Sequence, residues 1–138
     1  MKLELHATPE EVMRAVEVLQ QLARDLGIPE RTAFGLALAL EECGSNIVNH
    51  ALQRDAQRTF QVTIEHTNDS FVIELRDDGP PFDPTAALDR KPHAEDDDLP
   101  GGWGIQFVRR YTDEARYARE HGENVLRLTK RIPPPGGQ

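Results

Sequence analysis

Three short stretches of the sequence place chemically useful residue types at useful spacings. Glu42 and Asn46 stand four apart in LALALEECGSNIVNHA, which puts both side chains on one face of a helix, one turn above the other. The pair interrupts an otherwise apolar helix at the edge of its packed face, where a cavity or a ligand can receive them, and buried polar groups require partners. Asp77, Asp78 and Gly79 follow the apolar strand SFVIELRD. A carboxylate projecting from the end of a rigid strand can accept a hydrogen bond from an exocyclic amine, and a glycine beside it admits a planar ligand at close range. Gly101, Gly102 and Gly104 surround Trp103 ahead of GIQFVRRYT. Glycines there free backbone N–H groups to wrap phosphate oxygens, and the helix that follows aims its N-terminal dipole at the same anion. Taken one at a time, each stretch has a plainer explanation: a solvated helix edge, a common turn, a glycine hinge.

The elements that must position these residues are legible in the hydropathy pattern. KLELHA alternates at period two and leads into Thr8-Pro9-Glu10-Glu11, where Thr8 suits a helix N-cap, Pro9 the first turn and Glu11 a capping box. The first helix keeps Val12, Val16, Leu19, Leu22, Ala23 and Leu26 on one stripe and stops at Gly27. A second helix starts near Pro29 and carries Leu36, Leu40, Cys43 and Ile47 at three- and four-residue steps. TFQVTIEHT and SFVIELRD, separated by Asn68-Asp69, predict a hairpin, and a second hairpin is expected from DEARYARE and ENVLRLTKRI turning at His121-Gly122. Residues 84 to 100 are polar, acidic and without a period, which predicts a functional loop or lid. The order β-α-α-β-β-lid-α-β-β implies an α/β two-layer sandwich, with helices on one face of a mixed sheet.

The chain of 138 residues is the size of one domain. A single domain is expected over residues 1–132, followed by a disordered tail at 133–138. The net charge of −8 opposes adhesion to nucleic acid, because that affinity comes from Lys and Arg displacing counterions. No apolar run is long enough to span a bilayer, and the N-terminus lacks the basic-then-apolar order of a secretory leader. The single cysteine, Cys43, reads as a small core residue. These features predict a soluble cytoplasmic protein without membrane attachment. His50 is expected to pack or to cap its helix, and Thr129 is excluded from any pocket because it alternates with the core-facing Leu126 and Leu128.

In combination the motifs are specific. E-x-x-x-N-x-x-x-H-A, then D-x-G-x-x-F-D-P, then G-G-x-G-I occur in that order, and the chain resembles the GHKL (histidine kinase-like) ATPase superfamily. Within it, GGWGIQFVRRYTDEARYARE and the ending GENVLRLTK are similar to the anti-sigma-factor serine/threonine kinases. The resemblance implies the Bergerat-type ATP-binding fold, with ATP and Mg²⁺ as cofactors. It implies that Asn46 holds the metal, that Asp77 binds the adenine amine and that Gly79 lets the base approach. Gly101, Gly102 and Gly104, with Ile105 beside them, would form a lid over the phosphates, and Glu42 would be the catalytic base. The implied partners are a sigma factor and a STAS-type antagonist that is phosphorylated on serine, and the family tendency to dimerise implies a possible homodimer. The same motifs are compatible with an ATP-sensing module that switches partner affinity without catalysis. Pro81 departs from the family pattern, standing where many relatives have a second glycine, and removes one N–H donor.

Overall fold

The computed structural model describes residues 1–87 and 104–132, the side chains of 86, 87 and 104–107 excepted. Strand β1 (Lys2–His6) leads into helix α1 (Pro9–Asp25) and then helix α2 (Glu30–Asn46), which continues as one π-helical turn (Ile47–Ala51). Strands β2 (Thr59–His66) and β3 (Ser70–Asp77) form a hairpin, followed by a 3-10 turn (Pro84–Ala87). Helix α3 (Gly104–Tyr111) then precedes the hairpin of β4 (Glu114–Glu120) and β5 (Glu123–Arg131).

The five strands run in the order β1-β2-β3-β5-β4, and every neighbouring pair is antiparallel. The two-layer α/β sandwich is therefore as expected, but its sheet is not mixed. Two consecutive helices return the chain to the end of the sheet from which it left, so β2 runs against β1. Strand β4 runs parallel to β3, and β5 lies between them. Hydropathy gives the elements and not their neighbours, which is why the mixed sheet was the wrong expectation.

Thr8 caps α1, its hydroxyl accepting from the Glu11 N–H at 3.2 Å. The Glu11 carboxylate, however, accepts from the His6 N–H at 3.2 Å, because the Thr8 N–H already donates to the His6 carbonyl. The reciprocal capping box is thus displaced by two residues. Gly27 takes φ +70° just beyond α1, the left-handed conformation that suits the end of a helix.

Helix α2 is buried along Leu36, Ala37, Ala39, Leu40 and Cys43, and each fully buried leucine contributes about 1.5–3 kcal/mol. Its glycines are costly in a helix and are explained by contact. A Cβ on Gly35 would lie 2.5 Å from the Tyr111 ring, and one on Gly44 would lie 3.0 Å from Val12. Helices α3 and α1 can approach α2 closely at those two points. The sheet presents Leu5, Phe60, Val62, Ile64, Phe71, Ile73, Leu75, Leu126 and Leu128 to these helices as one core. The opposite face carries charged side chains such as Glu74, Arg76 and Arg127, with Arg76 bonded to Glu74 at 2.8 Å.

Candidate nucleotide-binding site

The phase of the sheet determines which polar residues enter the interior. On β3, Phe71, Ile73, Leu75 and Asp77 are buried in alternation, so Asp77 faces the helices by the same period that buries the strand's apolar residues. Asn124 lies directly across the ladder from Asp77, as Leu126 does from Leu75. From the other layer, Asn46 ends the α-helical part of α2. Among the described residues these are the three buried polar side chains: Asn46 is 6% exposed, Asp77 4% and Asn124 4%.

All three line one cleft that opens to solvent. Cys43, Ile47, Ala51, Leu75 and Leu126 give it an apolar lining, and Phe82, Pro84 and Tyr117 complete its walls. Apolar walls with a few convergent polar groups are the usual form of a small-molecule site. Cys43 is wholly buried there, and desolvation pushes its thiol well above the ordinary range, so it behaves as a core residue.

The Asp77 Oδ1 atom accepts from the Gly79 N–H and from the Asn124 Nδ2 amide, each at 2.9 Å. Its Oδ2 atom has no such partner among the described residues. Burial pushes the Asp77 carboxyl above its usual value, helped by Asp78, while the two hydrogen bonds and Arg119 pull it back. Gly79 is tightly confined: a Cβ would lie 2.5 Å from the Ala51 carbonyl oxygen and 3.0 Å from Asp77 Oδ1. The widened π-helical turn carries that carbonyl to the site, a recurrent use of such bulges.

Glu42 lies one turn before Asn46 and is half-buried. Desolvation is the largest influence on its carboxyl and raises its pKa, Glu41 adds to the rise, and a hydrogen bond from Asn46 opposes it. A carboxylate moved towards neutrality is better matched to accepting a proton at physiological pH than an ordinary one. His50 stacks on Phe82, with ring centroids 6.0 Å apart and planes inclined by 14°, so it packs against the cleft wall. Thr129 is absent from the cleft lining.

Gly104 begins α3, and Ile105 follows it in the same helix. Gly101, Gly102, Trp103 and the acidic run at 95–98 lie outside the described residues, as does the segment 133–138. Sequence reasoning gave no site role to Tyr117, Arg119 or Asn124, although Asn124 stands within the ending GENVLRLTK that carries the family resemblance. Asn124 carried a usable signal, since it stands two residues before Leu126 in the buried phase of β5.

The model of the histidine kinase-like ATPase domain matches residues 5–130. The chain belongs to that family. It is 32% identical over 134 residues to the serine/threonine-protein kinase BtrW of Bordetella bronchiseptica, covering 96% of this chain and 94% of that protein. The likeness to serine/threonine kinases read from the motifs is therefore met by a curated relative matched over nearly its whole length. Two solved structures share the fold, each with a TM-score of 0.64 over 96% of this chain. One is a chain of the SiaB–SiaC complex from Pseudomonas aeruginosa, 15% identical and covered over 89% of its length. The other contains the RsbU and RsbW domains of a Mycobacterium tuberculosis protein, 17% identical and covered over 32%.

The residues in this family member fit the nucleotide that the family name implies. Asp77 has one carboxylate oxygen committed to the protein and one left to accept from a base amine, and Gly79 leaves no side chain in the way. No helix among the described residues is long and apolar enough to cross a membrane. No group of three metal-ligating acidic, histidine or cysteine side chains is found among them either.

Proposed function

We propose that the protein is an ATP- and Mg²⁺-dependent serine/threonine kinase of the anti-sigma type, acting in the cytoplasm on a STAS-fold antagonist and sequestering a sigma factor. The observation that carries this reading is the convergence of Asn46, Asp77 and Asn124, the three buried polar side chains among the described residues, on one cleft. The kinase relative BtrW supports the reaction class.

Asp77 would accept from the adenine amine, and Gly79 would let the ring approach. Asn46 would give one oxygen to Mg²⁺, a cation usually held by few protein ligands together with substrate phosphates. Gly101, Gly102 and Gly104, with Ile105, would close over the phosphates at the start of α3. Bound Mg-ATP would supply the phosphoryl group and the cation that offsets its charge. Glu42 would accept the proton of the attacking hydroxyl as the new oxygen–phosphorus bond forms and ADP departs. Its half-buried position one turn from Asn46 would place that proton acceptor beside the metal.

Incubating the protein with a STAS-fold antagonist and γ-labelled ATP tests this. Transfer by wild type that is lost in Glu42→Gln is expected. Absence of transfer by wild type, combined with partner affinity that changes with a non-hydrolysable ATP analogue, would establish the ATP-sensing module instead. Undiminished transfer by Glu42→Gln would remove the base from Glu42.

A further inference from the structure

Asn124 occupies the centre of a hydrogen-bond network that the proposed chemistry does not use directly. Its amide Nδ2 donates to Asp77 Oδ1 and to the Pro80 carbonyl, each at 2.9 Å. Its Oδ1 accepts from the Phe82 N–H at 3.1 Å, from Arg119 Nη1 at 3.2 Å and from the Tyr117 hydroxyl. Arg119 also donates to the Gly79 carbonyl at 2.7 Å. Both amide hydrogens and the oxygen's lone pairs are therefore committed, and the donors around Oδ1 fix which way the amide points. A side chain so saturated has nothing left to offer a ligand. It does bind the end of β3, the 79–82 turn and β4 into one unit around Asp77.

We infer that Asn124 is a positioning residue for nucleobase selection: together with the Gly79 N–H it occupies Asp77 Oδ1, leaves Oδ2 as the acceptor for the base edge, and so favours a 6-amino over a 6-oxo purine. The inference rests on the ATP-binding reading above. A 6-amino group donates to such an oxygen, whereas a 6-oxo group sets one acceptor against another at a carboxylate that is itself buried. Sites built around a buried hydrogen bond discriminate strongly against analogues that cannot complete it. Without the Asn124 clamp the carboxylate keeps the Gly79 N–H alone and the 79–82 turn loses two of its anchors, so the matched geometry loosens while the apolar walls of Leu75, Leu126 and Ile47 remain.

ATP and ITP differ at that edge alone, and the experiment compares their dissociation constants by calorimetry for wild type, Asn124→Leu and Asn124→Asp. Asn124→Asp keeps an acceptor for Phe82, Tyr117 and Arg119 and removes both N–H donors, so it stays informative should Asn124→Leu fail to fold. The expected result is a preference for ATP over ITP in wild type that falls about tenfold or more in the variants, through weaker ATP binding, with ITP affinity nearly unchanged. A parallel loss of both nucleotides at a constant ratio would assign Asn124 a purely structural role and overturn the inference. Wild type that binds ATP without preference over ITP would overturn it as well. Wild type that binds neither would overturn the nucleotide reading itself, and this inference with it.

Discussion

Replacing Gly79 by alanine tests the site's construction at its most confined point. The added methyl would lie 2.5 Å from the Ala51 carbonyl oxygen and 3.0 Å from its carbon, and 3.0 Å from Asp77 Oδ1. The Ala51 atoms are backbone, and Asp77 Oδ1 is held by two hydrogen bonds. The Ala51 carbonyl belongs to the π-helical turn, and Asp77 is bound to Asn124, so relief requires the 79–82 turn to move away from α2. Overpacking of this kind costs about 1–3 kcal/mol, which in a domain of this size corresponds to a melting temperature lower by roughly 3–12 °C. The displacement would also lengthen the bond from the Gly79 N–H to Asp77 and tilt the carboxylate, so ATP affinity should fall about tenfold or more. Gly27→Ala is the matched control. That position is strained by its φ of +70° but has nothing within 4 Å of a new Cβ, so it should cost about 1 kcal/mol with unchanged ATP affinity. Thermal melts and calorimetric titration of both variants decide the matter. Gly79→Ala with a wild-type melting temperature and wild-type ATP affinity would refute the close-approach argument.

Two further outcomes follow from packing and charge. Glu42 has its pKa raised in the fold, chiefly by desolvation, so the folded state binds its proton more tightly than the unfolded chain does. Its unfavourable contribution is absent below the ordinary carboxylate range and develops as pH rises through the folded value. Glu42→Gln should therefore be more stable than wild type at neutral pH, with the advantage disappearing as pH is lowered in denaturant titrations; an advantage that grows at acid pH would contradict the sign. Gly35→Ala sets a methyl 2.5 Å from the Tyr111 ring, so α3 should separate from α2. Faster amide exchange across 108–111 is expected, with exchange in β2 and β3 unchanged; uniform exchange throughout would show that α3 adapts at no cost.

The strands and both long helices were legible because each buries one face and keeps its period. Asp77 was found as the end of a strand, but the stronger reason for its importance is its phase, which it shares with Phe71, Ile73 and Leu75. The same argument applies to Asn124, a polar residue in the buried phase of β5. Arg119 and Tyr117 were less accessible to such reasoning. They reach the site only because β4 pairs with β5 in the register that sets Arg119 opposite Asn124 and Tyr117 opposite Leu126. Alternation along a strand cannot supply a register across strands. The π-helical turn was hidden for a different reason: LALALEECGSNIVNHAL is compatible with an uninterrupted α-helix, and the change of pitch after Asn46 coincides with the close approach of Gly79 to the Ala51 carbonyl.

Strand β5 lies between β3 and β4, so Asp77 and Asn124 are neighbours on a ladder although they stand 47 positions apart in the chain. The connection between them is consequently a loop closed by the sheet. Closure entropy grows only with the logarithm of length, about 0.6 kcal/mol for each doubling. Residues inserted between the 3-10 turn and α3 would therefore leave the geometry of the cleft floor intact at small thermodynamic expense. That connecting segment can thus diverge in length and composition, while the frame of Asn46, Asp77 and Asn124 stays under separate constraint.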